Sequence, residues 1–307
     1  MSKHVAVLMG GWSAEREVSL RSGKACADAL EGEGYRITRV DVARNVAQVL
    51  ADLKPDVAFN VLHGVPGEDG TIQGVLEVLG IPYTHSGVLS SALAMDKGQA
   101  RIVMANAGVP VAEGKVVTRA EAAKDHVLPR PYVLKPVAEG SSVGVFIVTE
   151  DHQHPPQDLT RPDWHHGETL LLAERYIPGM ELTCAVMGDE ALGVIEIRST
   201  ARFYDYEAKY APGGSRHILP ARIKPNIYQK AQILAVEAHR ALGCRGISRA
   251  DFRFDNREDG SGELFCLEVN TQPGMTETSL VPELAAYRGM SFGGLVRWIL
   301  EDASLNR

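Results

Sequence analysis

Apolar residues recur along the chain in two rhythms, and the change from one to the other divides the sequence. Residues 4–9 read as a buried strand, and 35–41 and 57–62 as a second and third strand. Helical spacing of apolar positions over 16–30, 46–53 and 72–79 predicts helices between and after them. Ser13 is placed to cap the first helix, and Gly32 with Gly34 to end it. This alternation predicts a small open α/β unit over residues 1–95, whose strands end in polar loops where such sheets bind ligands.

From about Met95 the texture changes. A helix over 97–106 precedes strand-like segments at 115–118, 132–135, 143–148 and 170–175, which together predict a central α+β unit over 96–180. The polar tract 151–167 reads as a loop or weak helix. Strands at 181–187 and 192–197, an irregular stretch at 199–216, a helix at 226–242, strands at 246–254 and 263–269 and a closing helix at 292–300 predict a third unit over 181–307.

A chain of 307 residues is long enough for two or three cores, and 45% hydrophobic with 23% charged residues is the composition of a globular protein. No apolar run reaches the roughly 18 residues that span a bilayer, and the first residues lack the features of a secretory signal. Four scattered cysteines without a C-x-x-C pair suit reduced thiols in a cytoplasm. The net charge of −7 argues against a nucleic-acid surface, so any cations that meet phosphate must be local.

Asp251, Glu268 and Asn270 form the most telling local pattern. Between their strands lies a stretch dense in turn formers that contains Asp259-Gly260, a favoured two-residue hairpin pair. Reflecting the chain about that pair sets Asp251 opposite Glu268, with Asn270 on the same face, while a looser turn would shift this register by a residue or two. Facing carboxylates repel, and a divalent cation removes the conflict; oxygen-only ligands suit Mg held jointly with phosphates. An exposed strand face with solvated acids is the bland alternative. The polar loop Asn270-Thr271-Gln272-Pro273-Gly274, which ends the apolar strand, favours the metal.

Lys135 ends an apolar strand and precedes Glu139-Gly140-Ser141-Ser142-Val143-Gly144. Such a connection lets N–H groups converge on an anion while the lysine adds charge, although an ordinary hairpin turn would use the same residues. Neither G-x-x-x-x-G-K-[ST] nor G-x-G-x-x-G is present. Lys209 lies in the irregular stretch 199–216, which reads either as a lid or as a tyrosine-rich segment packed on the surface below.

Taken in order, these segments resemble the D-alanine–D-alanine ligase family of the ATP-grasp superfamily. The match includes residues 10–20, Leu62-His63-Gly64, Gly67-Glu68-Asp69-Gly70, Met95-Asp96-Lys97, residues 135–144 and 203–210, Arg249-Ala250-Asp251, and residues 268–276 with Ser279-Leu280. The resemblance implies an ATP-grasp fold of class α/β with α+β elements: an N-terminal open α/β domain followed by two subdomains that clasp ATP. It implies nucleotide contacts from Lys97, Lys135 and Lys209, with Glu174 and Glu181 at the adenosine end. Asp251, Glu268 and Asn270 would bind two Mg (or Mn) ions.

Glu15 would receive the ammonium of the first D-alanine with His63 nearby, although a carboxylate at a helix N-terminus is also a plain structural choice. Arg249 and the Gly274 amide would stabilise an oxyanion, and Ser279 with the Leu280 amide would hold the second substrate's carboxylate. Ser141 and Tyr210 would link to Glu15 and close the lid. A homodimer is implied as well. Arg175-Tyr176 and Gln272 depart from the family's usual residues, and the insert 151–167, with His152, His154, His165 and His166, does not match it closely. That insert reads as a variable loop rather than a metal tract.

The implied reaction is ligation of two D-alanines through a D-alanyl phosphate for peptidoglycan precursor synthesis. Alternatives are a D-alanine–D-lactate ligase, another ATP-grasp carboxylate–amine ligase, or a non-catalytic nucleotide-binding protein.

Overall fold

The computed structural model describes residues 2–140, 144–161, 164, 170–199, 214–258, 260–276 and 278–307. Strand β1 (His4–Gly10) lies between β2 (Arg36–Val42) and β3 (Val57–Asn60), and all three are parallel. A central parallel strand is covered on both faces, which is why β1 is apolar from Val5 to Met9. Val5 and Val7 pack with Cys26 and Leu30 of α1 (Arg16–Gly32). Ala6 and Leu8 turn the other way, toward Leu50 of α2 (Val46–Leu53) and Leu76 of α3 (Thr71–Leu79).

Two helices follow, α4 (Val88–Met95) and α5 (Lys97–Asn106). An antiparallel sheet comes next, in the order β4-β7-β5-β6, from β4 (Gly114–Thr118), β5 (Tyr132–Pro136), β6 (Phe146–Val148) and β7 (Leu170–Arg175). The short α6 (Arg119–Lys124) covers it, started by a capping box between Thr118 and Glu121. This sheet has its own core, including Val117, Tyr132, Leu134, Leu171 and Ala173.

The third sheet is antiparallel in the order β10-β9-β8-β11-β12. Its strands are β8 (Met180–Met187), β9 (Glu190–Ser199), β10 (Ser215–Ile218), β11 (Ile247–Phe254) and β12 (Leu264–Asn270). One face packs under α7 (Pro225–Ala241), which begins with proline in its first turn and buries Ala231, Leu234, Ala235 and Ala238. The other face meets α8 (Leu280–Tyr287) and α9 (Phe292–Glu301). Helix α9 buries Leu295, Val296, Ile299 and Leu300 against a core shared with α1 and β1. The first and third sheets are therefore joined through one hydrophobic core, and the four-stranded sheet stands on its own.

Four elements differ from the pattern reading. Helices α4, α6 and α8 and strand β10 were not expected. Helix α6 is only 6 residues long, α4 turns Ser90 and Ser91 inward, and α8 contains Pro282, so none shows a clear apolar helical period. Strand β10 begins at the end of the stretch read as irregular and runs two residues past it; residues 200–213 of that stretch are outside the described residues. Ser13 is not the N-cap of α1, because Glu15 occupies that position. Ser13 instead accepts the Glu15 N–H at 3.2 Å and donates to the His63 carbonyl at 2.7 Å, tying two loops together.

In the insert, Gln157–Thr160 forms a 3-10 turn with Leu159 buried, while His165 and His166 lie outside the described residues. All four cysteines are free and buried, and burial pushes the Cys184 and Cys244 thiols up to about 12. Among the described residues no helix is long and apolar enough to cross a membrane.

Candidate active site

The turn from β1 into α1 needs Gly10 and Gly11, whose φ values are +80° and +79°. A Cβ on Gly10 would lie 2.2 Å from a carboxylate oxygen of Asp41, which is clamped by Arg16 through two bonds of 2.7 Å. This tight turn sets Glu15 at the N-terminus of α1, nearly buried, where the helix dipole favours a carboxylate. His63, just beyond β3, is buried too, with Nδ1 3.6 Å from Glu68 Oε1. Burial opposes a charge on His63, but the carboxylates of Glu68 and Glu15 outweigh it and hold its pKa above the usual value. Burial also raises the Glu68 pKa, opposed by its bond to His63.

Lys97 opens α5, where Asp96 caps the helix by accepting the Gln99 N–H at 2.9 Å. The Lys97 N–H donates to the Val137 carbonyl at 3.0 Å and its ammonium to the Glu139 carbonyl, with Glu268 Oε2 3.7 Å away. The loop after β5 thus folds toward α1, and a Cβ on Gly140 would come within 2.8 Å of Glu15 Oε2. Lys135 and Glu174 sit diagonally on one face of β5 and β7 and form a buried ion pair at 2.6 Å. Glu181 lies opposite Arg253, 3.5 Å from its guanidinium.

On the third sheet Asp251 faces Glu268, and Arg249 faces Asn270. The expected two-residue turn is not what connects these strands. Asp255 accepts the Ser261 N–H, and its own N–H donates to Glu263, so the connection is longer. Pairing runs Phe254 to Leu264 and Phe252 to Cys266, and a bulge between Phe252 and Asp251 restores the register at Glu268. Asp251 accepts from Arg249 at 2.9 and 2.7 Å and from the Thr183 hydroxyl at 2.6 Å.

Two carboxylates and an amide oxygen on one face fit a hard divalent cation, since each oxygen keeps a further lone pair for it. Among the described residues no group of three or more His, Cys, Asp or Glu is disposed to hold a metal. A cation here would therefore need oxygens from a bound phosphate as well.

Gly274 follows β12, and a Cβ there would lie 2.9 Å from Ser279 Oγ. Ser279 is the N-cap of α8 but uses its hydroxyl on Thr276, accepting that residue's N–H at 2.9 Å. The Leu280 N–H opens the first turn of α8, and first-turn N–H groups are a natural place for a carboxylate.

A single open cavity is lined by Glu15, His63, Lys97, Gly140, Arg249, Glu268, Asn270, Gly274, Ser279 and Leu280. It lies on the seam between the first and third sheets. Lys135, Glu174, Glu181 and Asp251 do not line it. Ser141, Lys209 and Tyr210 lie outside the described residues. Glu68 and Thr276 also line the cavity and had no role in the sequence reading. The available signal for Glu68 was an acid five residues after His63 in a glycine-bounded loop.

Residues 103–301 match the family described as D-ala D-ala ligase C-terminus, and residues 42–86 the family described as D-ala D-ala ligase N-terminus. A D-alanine–D-alanine ligase from Xanthobacter autotrophicus is 76% identical, with 100% of both chains covered. One from Azorhizobium caulinodans is 71% identical over the same full span. Among solved structures, D-alanine–D-alanine ligase from Bacillus anthracis complexed with ATP matches with TM-score 0.79 at 29% identity, covering 98% of this chain and 97% of that one. The VanG D-Ala:D-Ser ligase from Enterococcus faecalis matches with TM-score 0.77 at 31% identity, covering 98% and 99%.

Proposed function

Because the chain belongs to the D-alanine–D-alanine ligase family and has the ATP-grasp fold, we propose that its seam cavity is where two D-alanines are joined with the consumption of ATP. The enzyme is an ADP-forming ligase whose product, D-alanyl-D-alanine, serves cell-wall precursor synthesis. We take residues 1–95, 96–180 and 181–307 as its working units, the cytoplasm as its location and a homodimer as its assembly.

A carboxylate does not react with an amine at neutral pH, because oxide is too poor a leaving group. In this reading the first D-alanine carboxylate attacks the γ-phosphorus and ADP leaves. The amine of the second D-alanine then attacks the acyl carbon and phosphate leaves. Most of the rate in such a sequence comes from alignment and charge neutralisation. Glu15 holds the first ammonium beside His63, and Arg249 with the Gly274 N–H stabilises the oxyanion of the tetrahedral intermediate.

Ser279 and the Leu280 N–H hold the second carboxylate at the start of α8. Lys97, Lys135 and Lys209 neutralise phosphate, while Glu174 and Glu181 serve the adenosine end. Asp251, Glu268 and Asn270 would hold Mg or Mn, which neutralises phosphate charge when bound. We take Ser141 and Tyr210, which lie outside the described residues, to help keep water from the acylphosphate.

The observation that carries this reading is the convergence on one cavity of an acid at a helix N-terminus, a glycine amide and Arg249 from opposite banks of the seam. The test supplies ATP, Mg and D-alanine and follows ADP and dipeptide. Dipeptide with one ADP each is expected, and activity with L-alanine but not D-alanine would overturn the reading.

A further inference from the structure

Two buried amides bridge the seam on which the cavity lies, and no role has been given to either. Asn60 ends β3, three residues before His63; Gln272 follows β12, two residues after Asn270 and two before Gly274. Both are about 1% exposed. Gln272 Nε2 donates to the Asn60 carbonyl at 2.7 Å, and Asn60 Nδ2 donates back to Gln272 Oε1 at 3.1 Å. The same Asn60 amide donates to the Gly67 carbonyl at 3.0 Å, and its oxygen accepts the Leu62 N–H at 3.1 Å. Gln272 is fixed at its other end, where its N–H donates to Asn270 Oδ1 at 2.9 Å.

Hydrogen bonds are directional, and a buried amide can be satisfied only in a narrow range of positions. The reciprocal pair therefore sets the relative position of two segments that are 212 residues apart in sequence. One carries His63 and Glu68. The other carries Asn270 and Gly274. Apolar packing in the shared core would hold the sheets together but would tolerate sliding that these bonds do not.

We propose that Gln272 is a positioning residue of the ligation reaction, its carboxamide locking the His63 segment to the Asn270–Gly274 loop so that both half-reactions share one geometry. The proposal rests on the ligase reading. The first half-reaction needs the acyl carbon formed beside Glu15 and His63. The second needs that carbon to sit under the Gly274 amide while the amine arrives. If the banks slip, the acylphosphate waits for its amine and water takes it. The water oxygen then bonds to the acyl carbon, the bond from that carbon to the phosphate oxygen breaks, and D-alanine and phosphate are released without dipeptide.

The experiment measures ADP released per dipeptide formed, with ATP, Mg and D-alanine, in the parent and in Gln272→Met, which keeps the side chain's length and removes both bonds. Expected are one ADP per dipeptide in the parent, more than one in the variant, a dipeptide turnover about tenfold lower and an unchanged KM for ATP. A loss of folded protein alone would lower both products together and leave the ratio at one. If Gln272→Met fails to fold, Gln272→Glu, which keeps the acceptor and removes the donor, is read by the same ratio. A ratio of one in the folded variant overturns the proposal while the ligase reading stands. A parent that makes no dipeptide from D-alanine overturns both.

Discussion

Two acidic clusters flank the cavity, and they settle their charge by different means. In the first, Glu68 and Glu15 meet His63; burial raises the Glu68 pKa and the two carboxylates raise that of His63, so the charge there depends on pH. In the second, Asp251 faces Glu268, and fixed cations and donors do the work: Arg249 and Thr183 on Asp251, Lys97 near Glu268. A cluster that titrates responds to pH. One balanced by permanent charges responds to the loss of those charges and has lone pairs left for a metal.

The largest break in this contrast is Asp251→Ala. Losing a carboxylate that would bind the nucleotide's cation is expected to lower dipeptide turnover by about 10³-fold, corresponding to several kcal/mol of charge stabilisation. Raising Mg should restore part of it, because mass action refills a weakened cation site; full turnover at ordinary Mg would contradict the assignment. Next is Thr183→Val, nearly isosteric, which removes a donor to a charged acceptor and should cost about 1.5–3 kcal/mol in urea unfolding. An unchanged midpoint would show that Arg249 alone suffices.

Glu68→Gln sharpens the other side. Turnover should fall roughly tenfold, as expected for a lost positioning contact. Its pH behaviour is more diagnostic. Both Glu68 and His63 titrate above their ordinary values, so the stability they contribute is complete at low pH. It declines as pH rises from the ordinary glutamate value of 4.5 through the raised folded values. The parent's stability advantage over Glu68→Gln should therefore shrink from acid to alkaline pH, and an advantage that grows would contradict these raised pKa values. The smallest effect belongs to a control: Thr118→Ala removes the capping box of α6 and should cost about 1 kcal/mol with no change in turnover.

How much of this was legible beforehand follows the range of the interactions. Helices α2 and α5 and strand β7 were readable to the residue because their apolar periods and turn signals are local. The facing of Asp251 and Glu268 was also readable, although the turn assumed for it was wrong. Its loop is longer, and a one-residue bulge compensates. Helix α6 has only 6 residues, α4 buries Ser90 and Ser91, which blurs its apolar period, and α8 carries Pro282, a residue that reads as a helix breaker.

Within the site, Glu15, His63, Arg249 and Gly274 entered through the family resemblance; nothing in their own neighbourhoods brings them together. The contact of His63 with Glu68 and the Asn60–Gln272 bridge depend on how loops close in three dimensions, which no local pattern encodes.

The most direct measurement is a crystal structure grown with Mg and a non-hydrolysable ATP analogue. The account predicts metal ions about 2.0–2.1 Å from oxygens of Asp251, Glu268 and Asn270, each shared with a phosphate oxygen. Carboxylates left with only Arg249, Thr183 and Lys97 as neighbours, and a triphosphate bound elsewhere, would contradict it.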